Sequence, residues 1–178
     1  MPATLVIPRP AAGEFAPYYR KYIDLVPGDD ALEALATQIE GTLRLTRGLS
    51  EAQALHRYAP GKWSVKDTLG HLTDAERVFS YRAMRFARAD ATPLPGFDET
   101  TYVPTANCDR FPVAQLADAY GAVRGATLAF FGALEPAALE RRGEANAQGV
   151  SVRALAWIVA GHERHHVALL RERYGLTG

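Results

Sequence analysis

The sequence predicts an all-α fold, a four-helix bundle with one long crossover connection. Apolar residues recur at intervals of three and four along four separate segments, which is the pattern of amphipathic helices. No segment shows the alternation of apolar and polar residues that is typical of strands. Residues 91–111 hold three prolines and no period, which predicts a long loop between the second and third helices. At 178 residues the chain has the size of one domain.

Residues 1–28 precede the first periodic segment and are predicted to form an irregular N-terminal arm. Prolines interrupt any helix there, because proline lacks the amide hydrogen that a helix interior needs. Aromatic residues lie between the prolines, and disordered tails seldom carry so many. The prolines are Pro2, Pro8, Pro10, Pro17 and Pro27, and the aromatic residues are Phe15, Tyr18, Tyr19 and Tyr22. We expect the arm to pack through these rings on a single bundle domain formed by residues 29–178.

The first two helices of the bundle are marked by residues typical of helix ends. The first is predicted to follow Asp30 and to end at Gly48, with a stripe of Leu32, Leu35, Ile39 and Leu43. A short helical turn is expected before Pro60 and Gly61. The second helix begins at Ser64, because a serine followed three residues later by Asp67 resembles a capping box. It is expected to end between residues 88 and 90.

The last two helices are predicted in the same way. Proline is favoured in a first helical turn, so the third helix is expected to start near Pro112 and to reach about Leu134. Residues 135–149 are polar and are predicted to form a loop. Ser151 can cap the fourth helix, which is expected to run to about Tyr174, before Gly175.

Composition argues against several classes of protein. Lys and Arg together number 20, as do Asp and Glu, so no basic surface excess favours a nucleic-acid partner. Cys108 is the single cysteine, which excludes an internal disulfide and predicts a reducing, cytoplasmic location. No apolar run is long enough to span a membrane, and prolines interrupt the N-terminus where a signal peptide needs an apolar core.

The final helix contains the residues that are best suited to bind a metal ion. His162 and His166 are four residues apart, so both imidazoles face the same side of the helix and can reach one divalent ion. His162 with His165 is an alternative pair, but His165 turns toward the edge of the apolar stripe, and we expect it to lie at the surface with His56. A catalytic ion usually has three protein ligands. His71 on the second helix is a candidate for the third.

Each candidate also has a simpler structural explanation. A lone inward histidine is more often a hydrogen-bonded core residue than a ligand, and paired histidines can be solvated. A lone cysteine such as Cys108 is usually a small buried apolar residue. Asp98 and Glu99 in the long loop could act as an acid, a base or a substrate contact, but exposed turn residues explain them equally simply. Spacing alone therefore assigns no catalytic residue.

Two motifs together resemble the DinB-like (DinB/YfiT) superfamily: PGKWSVKDTLGHLTDAER and GHERHH in the last helix. The resemblance covers nearly the whole chain and maps the metal-binding histidines of that family onto His71, His162 and His166. It implies a down-up-up-down four-helix bundle, a homodimer, and a zinc or nickel ion with open coordination positions. One departure is the stretch after His166, where Val-Ala-Leu replaces the small residue and Gly-Gln of many relatives.

The resemblance implies more than one activity, since one fold carries many functions. The first hypothesis is a metal-dependent enzyme that transfers a low-molecular-weight thiol to small electrophiles, because a metal ion lowers the pKa of a bound thiol. The second is a metal-dependent hydrolase of small amides or esters, in which the ion would activate water. The third is a non-enzymatic stress protein that binds a metal or another ligand.

Overall fold

The computed structural model describes residues 5–177, so Pro2 of the predicted arm and the final Gly178 lie outside the described residues. The helices are α1 (Arg20–Ile23), α2 (Ala31–Arg47), α3 (Glu51–Ala54), α4 (Val65–Ala87), α5 (Glu99–Ala106), α6 (Val113–Gly132) and α7 (Val152–Tyr174). The strands are β1 (Arg142–Ala145) and β2 (Gln148–Ser151). The four long helices α2, α4, α6 and α7 form the bundle, which confirms the predicted all-α fold class. No helix within residues 5–177 combines the length and apolar character needed to cross a membrane.

Side-chain caps explain where three of the long helices begin. The Asp30 carboxylate accepts a hydrogen bond from the second amide of α2, and the Ser151 hydroxyl accepts one near the start of α7. Ser64 and Asp67 form the reciprocal capping box predicted for α4. At the other end of α7, Gly175 has a φ of 68°, a left-handed conformation that glycine adopts without strain. The predicted starts and ends of the long helices are confirmed to within a few residues.

Helices that are consecutive along the chain do not always lie side by side. Both α2 and α4 pack against α6 and α7, whereas α2 and α4 occupy diagonal corners of the bundle. Contacts along the helices show that α2 and α6 run antiparallel, as do α4 and α7, while α4 and α6 run parallel. This is the down-up-up-down arrangement.

The long crossover is more regular than the sequence indicated. Residues 91–111 were predicted to lack secondary structure, but they include α5 and a 3₁₀ turn at Cys108–Arg110. Asp98 caps α5 by accepting a hydrogen bond from the Thr100 amide, and Asn107 ends it with a φ of 48°. Pro104 lies inside this short helix, and the helix carries almost no apolar stripe. Periodicity therefore could not reveal it.

The polar segment after α6 was predicted to be a loop, and this prediction is wrong. A 3₁₀ turn at Pro136–Glu140 is followed by the β1–β2 hairpin. The hairpin turns at Asn146 and Ala147, whose φ angles of 53° and 56° are both left-handed, as a type I′ turn requires. Gly143 allows β1 to lie directly on Phe86, since a Cβ there would be 2.6 Å from the Phe86 Cγ. The hairpin thus covers the end of α4.

The N-terminal arm packs along α7 and closes one side of the core. Ile7 is fully buried, and the Trp157 indole donates hydrogen bonds to the carbonyls of Ile7 and Pro8. Further along the arm, Tyr22 passes so close to Gly161 that the helix has no room for a side chain there. The arm therefore contributes buried surface to the bundle.

A buried carboxylate fixes the middle of the arm. Glu14 accepts hydrogen bonds from the Ser151 hydroxyl at 2.7 Å and from the Arg153 Nε at 2.7 Å. Burial raises the pKa of Glu14, but the hydrogen bonds from Arg153, the Ala11 amide and Ser151 outweigh it and lower the pKa to about 2. Glu14 is therefore ionised at neutral pH and ties the arm to the start of α7.

A charged network lies at the centre of the bundle and joins all four long helices. The Arg124 guanidinium on α6 donates to both carboxylate oxygens of Glu76 on α4 at 2.8 Å, and it lies 2.8 Å from Glu163 on α7. It also donates to the carbonyl of Leu35 on α2 at 2.9 Å. Arg124 and Glu163 each have about 1% of the side chain exposed. One buried arginine thus links the four helices through two buried glutamates and a backbone carbonyl.

Candidate metal centre

Three histidines from two antiparallel helices meet beside this network. His71 lies near the start of α4, and His162 and His166 lie one turn apart on α7. The Nε2 atom of His162 is 3.1 Å from that of His71 and 3.2 Å from that of His166. All three side chains are buried. The ligand atoms of the three residues lie within 4.8 Å of one another.

This spacing fits a single metal ion. Zinc binds imidazole nitrogen at about 2.0–2.1 Å, so two ligands in a tetrahedral site lie about 3.3 Å apart. The two short Nε2 distances of 3.1 and 3.2 Å are close to that value. Three neutral imidazoles also cannot all be satisfied by hydrogen bonds among their Nε2 atoms, whereas one cation would accept all three lone pairs. The donor set therefore suits a divalent ion.

The surroundings keep the three imidazoles in the form that binds metals. Burial lowers the pKa of His162 well below its usual value, and the neighbouring His166 and His71 lower it further. Burial also lowers the pKa of His71, and burial together with the neighbouring His71, His165 and Lys21 side chains lowers the pKa of His166 to about 3. All three rings are therefore neutral at physiological pH, and metal binding does not first require the loss of a proton.

Aromatic rings hold the imidazoles in place. The Trp63 ring lies 4.8 Å from the ring centre of His71 and stacks on His166 at 6.4 Å. Tyr22 of the arm packs edge-on against His162 at 5.4 Å, and Phe79 does so from α4 at 6.1 Å. These contacts restrict the rotation of the ligands and exclude water from one side of the cluster.

The three histidines line a cleft of about 730 Å³, large enough for a small-molecule ligand. Its walls come from the arm, from α4, from the start of α5, from α7 and from the hairpin. The polar side chains that line it, apart from the three histidines, belong to Tyr18, Tyr19, Lys21, Tyr22, Arg82, Glu99, Asn146, Gln148 and His165. The cluster is therefore reachable from solvent through a polar and aromatic passage.

Comparison with known proteins gives the family. The family model of the DinB superfamily matches residues 34–170, which is most of the chain. The chain belongs to the DinB superfamily. YfiT from Bacillus subtilis, described as a probable metal-dependent hydrolase with an unusual four-helix bundle topology, superposes with a TM-score of 0.66. The two chains share 16% sequence identity, and the match covers 94% of each. A search of curated proteins found no match.

In this DinB-superfamily bundle, the histidines named from the sequence occupy different positions. His71, His162 and His166 come together, whereas His165 lies on the cleft wall, with its ring 5.3 Å from that of Tyr22. His56 is not part of the cluster and packs against the Tyr174 ring. The expectation that His165 lies at the surface is thus only partly correct, since it faces the cleft.

The loop residues also have separate positions. Glu99 lines the cleft, while the carboxylate of Asp98 is engaged in capping α5. Cys108 is buried against Gly70, on a different side of α4 from His71, and burial raises the pKa of its thiol. The thiol is therefore not a ligand of this cluster within the described residues.

Sequence reasoning missed the walls of the DinB-superfamily cleft. In the sequence, Trp63 stands out only as part of the motif PGKWSVKDTLGHLTDAER, and Arg82 in α4 resembles any helix-surface arginine. In the structure both line the cleft. The spacing of Arg82, eleven residues after His71 and so three turns along the same face, was a usable signal.

Proposed function

We propose that the chain is a metal-dependent enzyme that transfers a low-molecular-weight thiol to small electrophiles. In this proposal His71, His162 and His166 bind one divalent ion, zinc or nickel. The supporting observation is that three neutral imidazoles converge on the wall of a cleft that admits a small molecule. Three protein ligands leave coordination positions free for a reactant, as is usual in catalytic sites.

The residues of the cleft favour a nucleophile that arrives with a reactant. Its lining, within the described residues, contains no serine, threonine or cysteine. The ion would supply one kind of chemistry, which is to lower the pKa of a bound thiol or water. The protein would orient the reactants between the aromatic rings of Trp63 and Tyr22 and shield them from bulk water.

The metal site can be tested before any activity is known. Protein purified without a histidine tag is expected to contain one divalent ion per chain by plasma mass spectrometry. His162→Ala should remove the ion, because His162 lies between the other two ligands. His56→Ala is the matched control, since His56 lies outside the cluster. Equal metal content in both variants would contradict the site.

Thiol transfer is tested with the metal-loaded protein, a panel of small bacterial thiols and a chromogenic electrophile. The proposal predicts thiol consumption that stops when a chelator removes the ion and returns when the ion is restored. His162→Ala should show no consumption above the uncatalysed rate. The absence of an adduct with every thiol, in protein that demonstrably holds the ion, would refute thiol transfer.

A metal-dependent hydrolase is the second candidate. It is favoured by the structural similarity to YfiT, which is itself described as a probable metal-dependent hydrolase. The same protein should then cleave chromogenic esters or amides without added thiol. Inactivity in both assays, together with an ion whose coordination is completed by the protein, would favour the third hypothesis of a non-enzymatic metal- or ligand-binding stress protein.

We also propose that the arm of residues 1–28 folds as part of the same unit as residues 29–178, since it supplies Tyr22 and Lys21 to the cleft. Proteolysis of the folded protein should then spare the junction between the two. The homodimer implied by the family resemblance, the cytoplasmic location and the lack of a nucleic-acid partner stay predictions. Light scattering coupled to size-exclusion chromatography would measure the oligomeric state.

A further inference from the structure

Arg82 is a buried cation that has no carboxylate partner within residues 5–177. Only 4% of the residue is exposed, and it lines the cleft. One of its terminal nitrogens donates to the Pro95 carbonyl at 2.8 Å. None of the ion pairs among the described residues includes it. Arg124, which is similarly buried, instead contacts two glutamates.

A guanidinium in this position is costly unless an anion accompanies it. Arginine stays protonated in proteins, so burial cannot be relieved by loss of a proton. An uncompensated buried charge destabilises a fold by several kcal/mol. An external anion can reach Arg82 from the cleft, because this largely buried arginine lines it. The structure thus holds a charge that a ligand can neutralise.

The neighbours of Arg82 orient its guanidinium group. Its central carbon lies 5.8 Å from the ring centre of Phe79 and 5.9 Å from that of Phe97. Phe79 also contacts His162, so one ring separates the arginine from the proposed metal ligands. A small molecule bound at the histidines can therefore lie along the Phe79 ring and reach Arg82 with its other end.

The charges that line the cleft also favour an anion. Lys21 stands at the arm side, with its ammonium group 3.9 Å from the Tyr18 ring centre, and takes part in no ion pair of the described residues. Glu99 is the single carboxylate among the lining residues. Two cations and one anion leave the cleft positive before any metal ion is counted.

We propose that Arg82 binds a carboxylate of the reactant that occupies the cleft, so that the substrates of this site are small carboxylates. This inference rests on the proposed function, because it places the carboxylate on a molecule that also reaches the metal site. The planar guanidinium can donate two parallel hydrogen bonds to a carboxylate, which a neutral amide or alcohol cannot receive in the same way. The carboxylate can belong to the thiol or to the electrophile.

The test compares two thiols that differ only in charge. Cobalt(II)-loaded protein is titrated with 3-mercaptopropionate and with 3-mercaptopropanol, and thiolate bound to cobalt is followed by its absorption band. Wild type should bind the carboxylate thiol about tenfold more tightly, the effect of one charge-assisted hydrogen-bond pair. Arg82→Gln should lose this preference and keep its affinity for the alcohol. Arg77→Gln, an exposed arginine of α4 outside the cleft, should behave as wild type.

A second titration identifies which reactant carries the carboxylate. Propionate is added to protein already saturated with 3-mercaptopropanol. Binding of propionate alongside the thiol, lost in Arg82→Gln, would assign the carboxylate to the electrophile. Exclusion of propionate by the bound thiol, together with a preference for 3-mercaptopropionate, would assign it to the thiol.

Several results would overturn the inference. Equal affinity of wild type for the two thiols, with no propionate binding, refutes it, as does an unchanged preference in Arg82→Gln. If neither thiol alters the cobalt spectrum, thiol transfer fails. Arg82 is then judged separately, by whether propionate but not propionamide raises the melting temperature of wild type. If Arg82→Gln does not fold, Arg82→Lys replaces it, because lysine keeps the positive charge but lacks the planar guanidinium. Arg82→Lys should prefer 3-mercaptopropionate over 3-mercaptopropanol by a smaller factor than wild type does.

Discussion

Replacing Gly161 by alanine would place a methyl group where the structure has the backbone of the N-terminal arm. The new Cβ would lie 3.0 Å from the Tyr22 Cα and closer still to the carbonyl carbon and oxygen of the same residue. These are backbone atoms, which cannot move aside by a change of rotamer. Overpacking of this kind costs about 1–3 kcal/mol. Alanine also stabilises a helix by about 0.5–1 kcal/mol relative to glycine. The measured loss of stability is therefore smaller than the cost of the steric contact itself.

Gly125→Ala supplies the matched control. Gly125 is an exposed helical glycine, and a Cβ added there would meet no atom within 4 Å. Its replacement by alanine therefore gains helix stability and introduces no steric clash. We expect Gly125→Ala to unfold at a higher urea concentration than wild type and Gly161→Ala at a lower one. Their melting temperatures should differ by several degrees, at about 2–4 °C per kcal/mol for a domain of this size. A Gly161→Ala variant as stable as Gly125→Ala would refute the close packing of the arm.

Three further predictions concern the rest of the fold. Arg124→Leu leaves two carboxylates buried without a cation and should lower the free energy of unfolding in urea by about 3–5 kcal/mol; a loss below 1 kcal/mol would contradict the network. Glu14 has its pKa lowered to about 2 in the fold, so its stabilising effect is complete above its usual pKa and is lost as the pH falls. The melting temperature of Glu14→Gln should therefore fall less than that of wild type between pH 6 and about 3. An equal fall in the two proteins would exclude this contribution of Glu14. Gly70→Ala directs a Cβ at the Cys108 Sγ and should destabilise the protein, with partial rescue by Cys108→Ala. An unaltered melting temperature in the single variant would argue against that contact.

The helices of the bundle could be predicted because their signals are local. Caps such as Asp30 and Ser64 act on amides two or three residues away, and apolar stripes repeat within a single helix. The hairpin depended on weaker signals. Its turn has asparagine followed by alanine rather than glycine, and its strands lack β-branched alternation. Its position is fixed instead by contact with Phe86.

The candidate site was predictable in part. The spacing of His162 and His166 indicated a pair, and only the family resemblance joined His71 to it. The walls of the cleft depend on contacts between distant segments, so nothing in the local sequence marked Tyr22 as a cleft residue, and the spacing of Arg82 from His71 gave only a weak signal. Charged residues of a helix are usually assigned to its solvent face. That assignment fails where a partner or a ligand offsets the charge.

The diagonal placement of α2 and α4 has a consequence for how the chain folds. Neither α2 with α4 nor α6 with α7 forms a helical hairpin, so each antiparallel pair joins helices that are distant in sequence. Folding must then close long loops before it gains these contacts, which raises contact order and slows the reaction relative to an up-down bundle. During synthesis on the ribosome, α4 has no antiparallel partner until α7 has emerged. Mutations in α7 should therefore alter the folding rate more than equally destabilising mutations in α3.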